Sequence, residues 1–576
     1  MRKEHTAGPK ASSPGKATLD LRSGYNVAWN PINTEVFGLK VSGKMNAKVD
    51  SPLYYDPYDF DIDENPYPVW KRMRDEAPLY YNEKYDFYAL SRYEDVTKCL
   101  KDFATYSSAK GTIMELIKAG FQPPPGMFIF EDPPLHDIHR DILRRLFTPR
   151  AIAAVEPKIR EFTTQVLDPQ IGKGGFDFIK DLGSEMPMRT IGMLLGIPEA
   201  DQAKFRDFSL EGLDLDESGA PAVDFEFRFN GKDGDPIEVN DLFGAYLDWR
   251  EQNPSDDLMT QLLTSEFVDE TGTQRRLSRE EILGYVRLLA GAGNETTTRL
   301  IGWTGKVLAD HPEQLAELAK DPSLINNAID EVLRFEPPSP VQARYVTRDV
   351  EHYGQIVPKG SVILLLNASA NRDERKFKDP DTFNIRRKID QTLTFGHGLH
   401  FCMGSHLAKL EGRIALEEVL KRFPSWKVDW ENAKQARTST VRGWETLPVI
   451  TDEAKWKQEQ NKNRPQEKAV SNATEAGIDN AWDLVIKAPN GEQRSVVTLK
   501  SEGEVLTGTI TNPEFGEQPI EGGKYDGETL TWKSKVTKPV KLTVTYSATV
   551  DADNNISGHI KAMMTKIPFS GTPVAK

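Results

Sequence analysis

The densest chemistry in the chain lies in FGHGLHFCMG, Phe395 to Gly404, which sets one of only two cysteines among three glycines and two histidines. A cysteine that binds a metal does so as a thiolate, so its surroundings must stabilise negative charge on sulfur away from water. Gly396, Gly398 and Gly404 let a loop fold closely round Cys402, and the helical pattern that follows, SHLAKLEGRIALEEVL, would aim unpaired N–H groups and its positive end at the sulfur. A zinc set of His397, His400, Cys402 and His406 is the competing arrangement. It fits poorly, because four ligands spread over a glycine turn and the next helix lack the close Cys or His clips of structural zinc.

A second constellation is SREEILGYVRLLAGAGNETTTRLIGW, residues 278–303. Ser278 and Glu281 form a capping box, and the apolar run beyond predicts one long buried helix ending before His311-Pro312. Its middle is unusual, since Gly291, Gly293, Asn294 and three threonines are poor helix formers, each glycine costing about 1 kcal/mol relative to alanine. A threonine hydroxyl there can take a backbone carbonyl from the ladder and bend the helix. Leu289, Gly293, Thr296, Thr297 and Leu300 share one face, a small-residue groove for a flat ligand. Gly291-x-Gly293 echoes a dinucleotide loop, but helix on both sides and no preceding strand exclude that reading. Glu331 and Arg334 meet on one helix face, as do His136 and Arg140, while Arg344 follows PPSPVQA in an extended stretch.

Phe-Gly-x-Gly-x-His-x-Cys-x-Gly resembles the haem-binding loop of the cytochrome P450 family, with every position filled. The resemblance implies that Cys402 is the axial ligand to the iron of haem b, that His400 contacts a propionate and that Phe395 packs by the sulfur. AGNETT, residues 292–297, is similar to the family's oxygen-binding motif, which implies that Thr296 hydrogen-bonds dioxygen and Glu295 feeds protons. Glu331 and Arg334 match the family's structural Glu-x-x-Arg pair, and NRDERKFKDPDTFNIRR its meander. His136, Arg140 and Arg344 would face the propionates. The reaction so implied is insertion of one oxygen atom of dioxygen into an apolar organic substrate, with the other reduced to water. An external ferredoxin with its NAD(P)H-dependent reductase would supply electrons, docking near Lys409, Arg413 and Arg145. Residues 109–130 fall where the family keeps a variable pocket loop, and Met127, Phe128 and Phe130 suggest an apolar, moderately large ligand. A peroxide-driven peroxygenase and a non-enzymatic haem sensor or carrier remain open at this point.

The elements that must position these residues fit a chain of 576 residues, long enough for two domains. Residues 25–455 read as mainly helical with small sheets, the cytochrome P450 fold that the resemblance implies. Residues 456–478 have a linker's composition, and 479–576 read as a small antiparallel β-barrel or sandwich, with strands in WDLVI, SVVTL, VLTGTI, TLTW, VKLTVTYSATV and ISGHI. That domain has no cluster of Cys, His and carboxylates, so we expect a non-catalytic role such as substrate capture or self-association. The net charge of −14 argues against a nucleic-acid or anionic-membrane surface. Two cysteines cannot supply the four thiolates of an iron–sulfur cluster, so no ferredoxin module is expected within the chain. The first 24 residues are polar and small, with nothing able to cross a bilayer, which reads as a disordered leader on a cytoplasmic protein. Cys99 belongs to an apolar stripe with Val96, Leu100 and Phe103 and should be core, whereas His139 should point outward from its helix.

Overall fold

The architecture comes from a computed structural model that describes residues 52–144, 147–199, 201–202, 238–436, 438, 441–463 and 480–574, leaving out 489–490, 504, 513–515, 526–528, 537–541, 552–553 and 563–564. The expected leader, much of the expected linker and Arg145 lie outside the described residues.

The long helix runs from Arg279 to Asp310 without interruption. Its start is fixed by the capping box: the Glu281 N–H donates to Ser278 Oγ at 3.2 Å and the Ser278 N–H to Glu281 Oε2 at 2.7 Å. Leu300, Ile301, Trp303, Val307 and Leu308 are buried on several sides. Burying side chains of that size is worth about 1.5–3 kcal/mol each, which outweighs the glycine penalties near its middle. The Thr296 hydroxyl donates to the Ala292 carbonyl at 2.9 Å, the carbonyl capture expected of a threonine in this groove.

The helix after Cys402, Ser405–Arg422, buries Leu407, Leu410, Ile414 and Val419 against the long helix, Pro149–Leu167 and Ile325–Phe335. Ile325–Phe335 carries Glu331 and Arg334, both fully buried, with Arg334 Nε and Nη2 donating to the carboxylate at 2.7 and 2.8 Å. Arg387 Nε and the Asn384 N–H reach the same carboxylate at 3.0 Å each, so the pair ties the meander to the helical core. Beside the helices lies a five-stranded sheet in the order Leu79–Asn82, Phe87–Leu90, Val362–Leu365, Gln342–Val346, Tyr106–Ser107. It places Arg344 opposite Ile363.

The C-terminal region resolves the choice between barrel and sandwich. Eight antiparallel strands close on themselves through Asn480–Ala488, which pairs with both Gly491–Glu502 and Thr565–Pro573. A short strand, Gly516–Pro519, pairs outside the ring. Trp482, Leu484, Trp532, Tyr546 and Phe569 fill the interior, with Trp532 stacked on Tyr546 at 4.9 Å. Gly516–Pro519, Glu521–Tyr525 and Thr565–Pro573 are strands that the sequence pattern does not reveal, because Gly and Pro dilute their alternation.

Glu453–Asn463, which runs into the first part of 456–478, is helical. One local expectation fails. His139 is buried rather than outward: Glu131 accepts from its Nδ1 at 2.7 Å, and Tyr285 donates to its carbonyl at 2.8 Å. An acidic partner eight residues upstream is invisible to helical periodicity. Cys99 is core as expected, its thiol pushed up to about 12 by burial.

Candidate active site

The turn before Cys402 is built on left-handed glycines. Gly396 and Gly398 have φ of 69° and 73°, and a Cβ on Gly398 would stand 2.7 Å from the Leu100 carbonyl oxygen, so only glycine fits there. The Cys402 N–H donates to the Phe395 carbonyl at 2.8 Å, closing the loop. The N–H groups of Gly404 and Ser405, at the start of the following helix, point at Cys402 Sγ. Burial raises the thiol above its ordinary value, while those two donors and Arg140 pull it back towards thiolate. Cys402 nevertheless counts as exposed because its side chain faces an internal cavity.

That cavity has a volume of about 270 Å³. One wall is the groove of the long helix, with Leu289, Gly293, Thr296, Thr297 and Leu300 all on it, as their shared helical face predicts. Cys402 and Phe395 also line it, and Phe128, Ile129, Phe147 and Ile191 add apolar surface. Of the expected pocket-loop residues, Phe128 lines the cavity, while Met127 and Phe130 are buried in the surrounding core.

Cationic and donor groups gather at one end. Arg140 and His400 line the cavity, and Arg140 Nη2 donates to the Phe401 carbonyl at 2.6 Å. The His136 ring lies 4.4 Å from that of His400, and the Nε2 atom of each is buried without a hydrogen-bond partner. Arg344 is 3% exposed, and its hydrogen bonds go to the Ala343 carbonyl at 2.8 Å and Gln342 Oε1 at 3.4 Å, with no carboxylate in ion-pair range among the described residues. Burial lowers it to about 10. Burial, together with Arg344, His136 and Arg140, depresses His400 to about 2, so this ring is neutral. A buried guanidinium without a counter-charge is costly. Two orphaned imidazole nitrogens beside it mark a place prepared for an anionic group, and the two propionates of haem b have that charge and number. The donor set therefore fits the cofactor.

Other sequence-predicted residues stand elsewhere. Glu295 is buried off the cavity, ion-paired with Arg299 at 3.1 Å, and Arg299 in turn donates to the Trp444 carbonyl. Gly396 acts through its turn rather than by lining the cavity. No zinc-like cluster forms from His397, His400, Cys402 and His406 among the described residues. Lys409 pairs with Asp330 at 2.7 Å, and Arg413 with Glu156 and Glu417 at 2.6 and 3.0 Å. Sequence reasoning missed Glu411, the one carboxylate lining the cavity among the described residues. Its signal was an acid four residues after Leu407 on the helix's apolar stripe.

The family model for Cytochrome P450 matches residues 245–442. A putative cytochrome P450 123 of Mycobacterium tuberculosis is 36% identical over 408 residues, covering 70% of this chain and 99% of that protein. The erythromycin C-12 hydroxylase of Saccharopolyspora erythraea is 35% identical over 387 residues, covering 66% of this chain and 92% of the hydroxylase. Among solved structures, a mutant of P450 EryK in complex with erythromycin B superposes with a TM-score of 0.60 at 32% identity, covering 68% of this chain and 96% of that one. With the thiol, the groove and the anion-ready end brought together in one cavity, these likenesses make the chain a member of the cytochrome P450 family, a haem b monooxygenase.

Proposed function

We propose that Cys402 ligates the haem iron and that the protein inserts one oxygen atom of dioxygen into an apolar, moderately large organic substrate, by hydroxylation or epoxidation. The observation that carries this reading is a single cavity lined by both Cys402 and Thr296. Haem bound there supplies oxygen activation, which thiolate donation promotes.

The chain's residues supply the rest. Arg344, His136, Arg140 and His400 would hold the propionates, and the N–H groups of Gly404 and Ser405 keep charge on the sulfur. Thr296 spends its hydrogen on the Ala292 carbonyl, leaving oxygen lone pairs that accept from water or a protonated group in the groove. Phe128, Ile129, Phe147 and Leu289 give an apolar surface that excludes bulk water and favours an apolar substrate. Glu295 serves protons only by leaving Arg299, which ties it down in the resting protein. Electrons would come from an external ferredoxin and its NAD(P)H-dependent reductase. Because Lys409 and Arg413 are already paired, their share in docking rests on exchanging those partners.

Substrate-dependent product formation with added ferredoxin, reductase and NAD(P)H, across terpenes, steroids, fatty acids and aromatic compounds, tests this reading. Activity with peroxide alone would make the protein a peroxygenase, and no turnover on any of the compounds would favour a haem carrier or sensor.

A further inference from the structure

Residues 121–130, FQPPPGMFIF, contain three consecutive prolines, which fix φ and stiffen the chain. The stretch then meets the first turns of the long helix backbone to backbone. Gly126 has a φ of 83°, and a Cβ on it would stand 2.2 Å from the Glu281 carbonyl oxygen. Gly284 makes the reciprocal contact: a Cβ there would stand 2.0 Å from the Pro125 carbonyl oxygen. Both distances lie far inside van der Waals contact and both neighbours are main chain, so each side requires glycine. On each side a Cα hydrogen points at a carbonyl oxygen, a weak hydrogen bond. The surroundings hold this contact in place. Glu281 is fixed by the capping box and by Arg275, whose Nη1 and Nη2 donate to its carboxylate at 2.8 and 2.9 Å. Beyond Gly126 the chain turns through Phe128–Phe130, where the Phe130 N–H donates to the Met127 carbonyl at 2.9 Å and the Glu131 N–H to the Phe128 carbonyl at 3.2 Å. Tyr285, fully buried beside Gly284, packs against the Phe128 ring at 6.0 Å and donates to the His139 carbonyl. Glu131, just past the turn, accepts from His139. Phe128, Leu288 and Leu289 all line the cavity.

We propose that Gly126 and Gly284 are positioning residues that clasp this stretch to the long helix as a fixed wall of the cavity, and that the clasp, by placing Phe128, limits the size of ligand admitted. This rests on the reading of the cavity as the haem and substrate site. The wall does not swing open to admit ligand, because the prolines stiffen one end of it and the Glu131–His139 contact ties the other. A side chain on either glycine drives the two backbones apart, and Phe128 moves with its loop, away from Leu288 and Leu289. The cavity widens beside Phe128, so a bulky ligand gains over a small one. The loop around Cys402 and the groove at Thr296 are not touched by the change.

The test uses the full-length haem-loaded protein, with imidazole and N-tritylimidazole as small and bulky probes whose binding to haem iron shifts the Soret band. In Gly284→Ala the affinity for N-tritylimidazole relative to imidazole should rise by on the order of 10-fold, with imidazole itself within about 3-fold of the parent. Gly126→Ala should act in the same direction, and the double variant should go no further than the larger single, because both break one contact. Phe128→Ala, which leaves the clasp intact and removes the ring it places, should also raise the ratio. Amide hydrogen exchange reads the clasp directly. The Phe130 and Glu131 N–H groups should exchange slowly in the parent, equally with and without N-tritylimidazole, and at least about 10-fold faster in Gly284→Ala. An affinity ratio unchanged in Gly284→Ala or in Phe128→Ala overturns the proposal, as does a parent whose amides exchange fast and are slowed by the azole, the behaviour of a closing lid. If Gly284→Ala cannot hold haem, Phe128→Ala and the exchange of the parent decide the matter. Failure of the monooxygenase reading would appear instead as a parent without the thiolate Soret signature, on which the exchange measurement does not depend.

Discussion

Glu331→Gln isolates the electrostatic part of the pair beneath the site. Gln keeps the volume, and its amide oxygen can still accept from the Asn384 N–H, Arg387 Nε and Arg334 Nη2, but its NH₂ faces the Arg334 Nε donor that lies 2.7 Å from the carboxylate, and the negative charge is gone. Arg334 is fully buried, and burial already holds it below its ordinary value despite the pairing, so the site tolerates its charge only through that carboxylate. Removing one partner of such a pair costs about 3–5 kcal/mol, a large part of the 5–15 kcal/mol that holds most domains together. With a urea slope of about 3 kcal/mol per M, the midpoint should fall by at least about 1 M. Soret absorbance of the haem-loaded protein against urea is the assay, because it follows the haem region without interference from the barrel. The Glu331→Gln, Arg334→Met double variant should be less destabilised than the sum of the singles by about 1–3 kcal/mol. A midpoint within about 0.3 M of the parent, an effect of under ~1 kcal/mol, would refute the claim that this pair carries uncompensated charge. So would strictly additive singles.

Thr296→Ala should keep haem content and substrate binding while diverting reducing equivalents to peroxide; product per NAD(P)H equal to the parent would remove Thr296 from the proton path. Truncation after Lys468, which deletes the barrel, should leave haem ligation and turnover on saturating substrate intact, since the barrel closes its own core around Trp482 and Trp532. A truncated chain unable to hold haem would make the barrel part of the site. Raising the Glu411 carboxyl from its ordinary 4.5 to about 8 means that the folded state holds a proton the unfolded state has lost between those values. Stability should therefore decline as pH rises from about 4.5 to about 8, and Glu411→Gln should flatten that decline; identical pH–stability curves would count against a neutral Glu411.

What could be read in the sequence was whatever local spacing encodes. The capping box at Ser278, the groove face of Leu289, Gly293, Thr296, Thr297 and Leu300, and the loop around Cys402 are set by residues within a turn or two of each other, and the structure forms the box and brings the groove face and the loop to one cavity. What escaped depends on partners distant in sequence or on breaks in pattern. Arg299 captures Glu295 and is itself held by the Trp444 carbonyl, 145 residues away, so the Asn-Glu-Thr-Thr run gives no sign that its acid is tied down. Thr190 and Thr297 come from two other helices to meet Glu411. The barrel could not be told from a sandwich because closure depends on the last strand, Thr565–Pro573, pairing with the first, and its glycine and prolines hide it from an alternation pattern.

The central claim is thiolate ligation by Cys402, and the carbon-monoxide difference spectrum of the reduced protein tests it most directly, because sulfur donation alters the electronics of the iron. The parent should show the red-shifted Soret band of a thiolate-bound haem, and Cys402→Ser should lose that band while still binding haem through Arg344, His136, Arg140 and His400. A red-shifted band that survives in Cys402→Ser, or a parent that never shows one, would contradict the account.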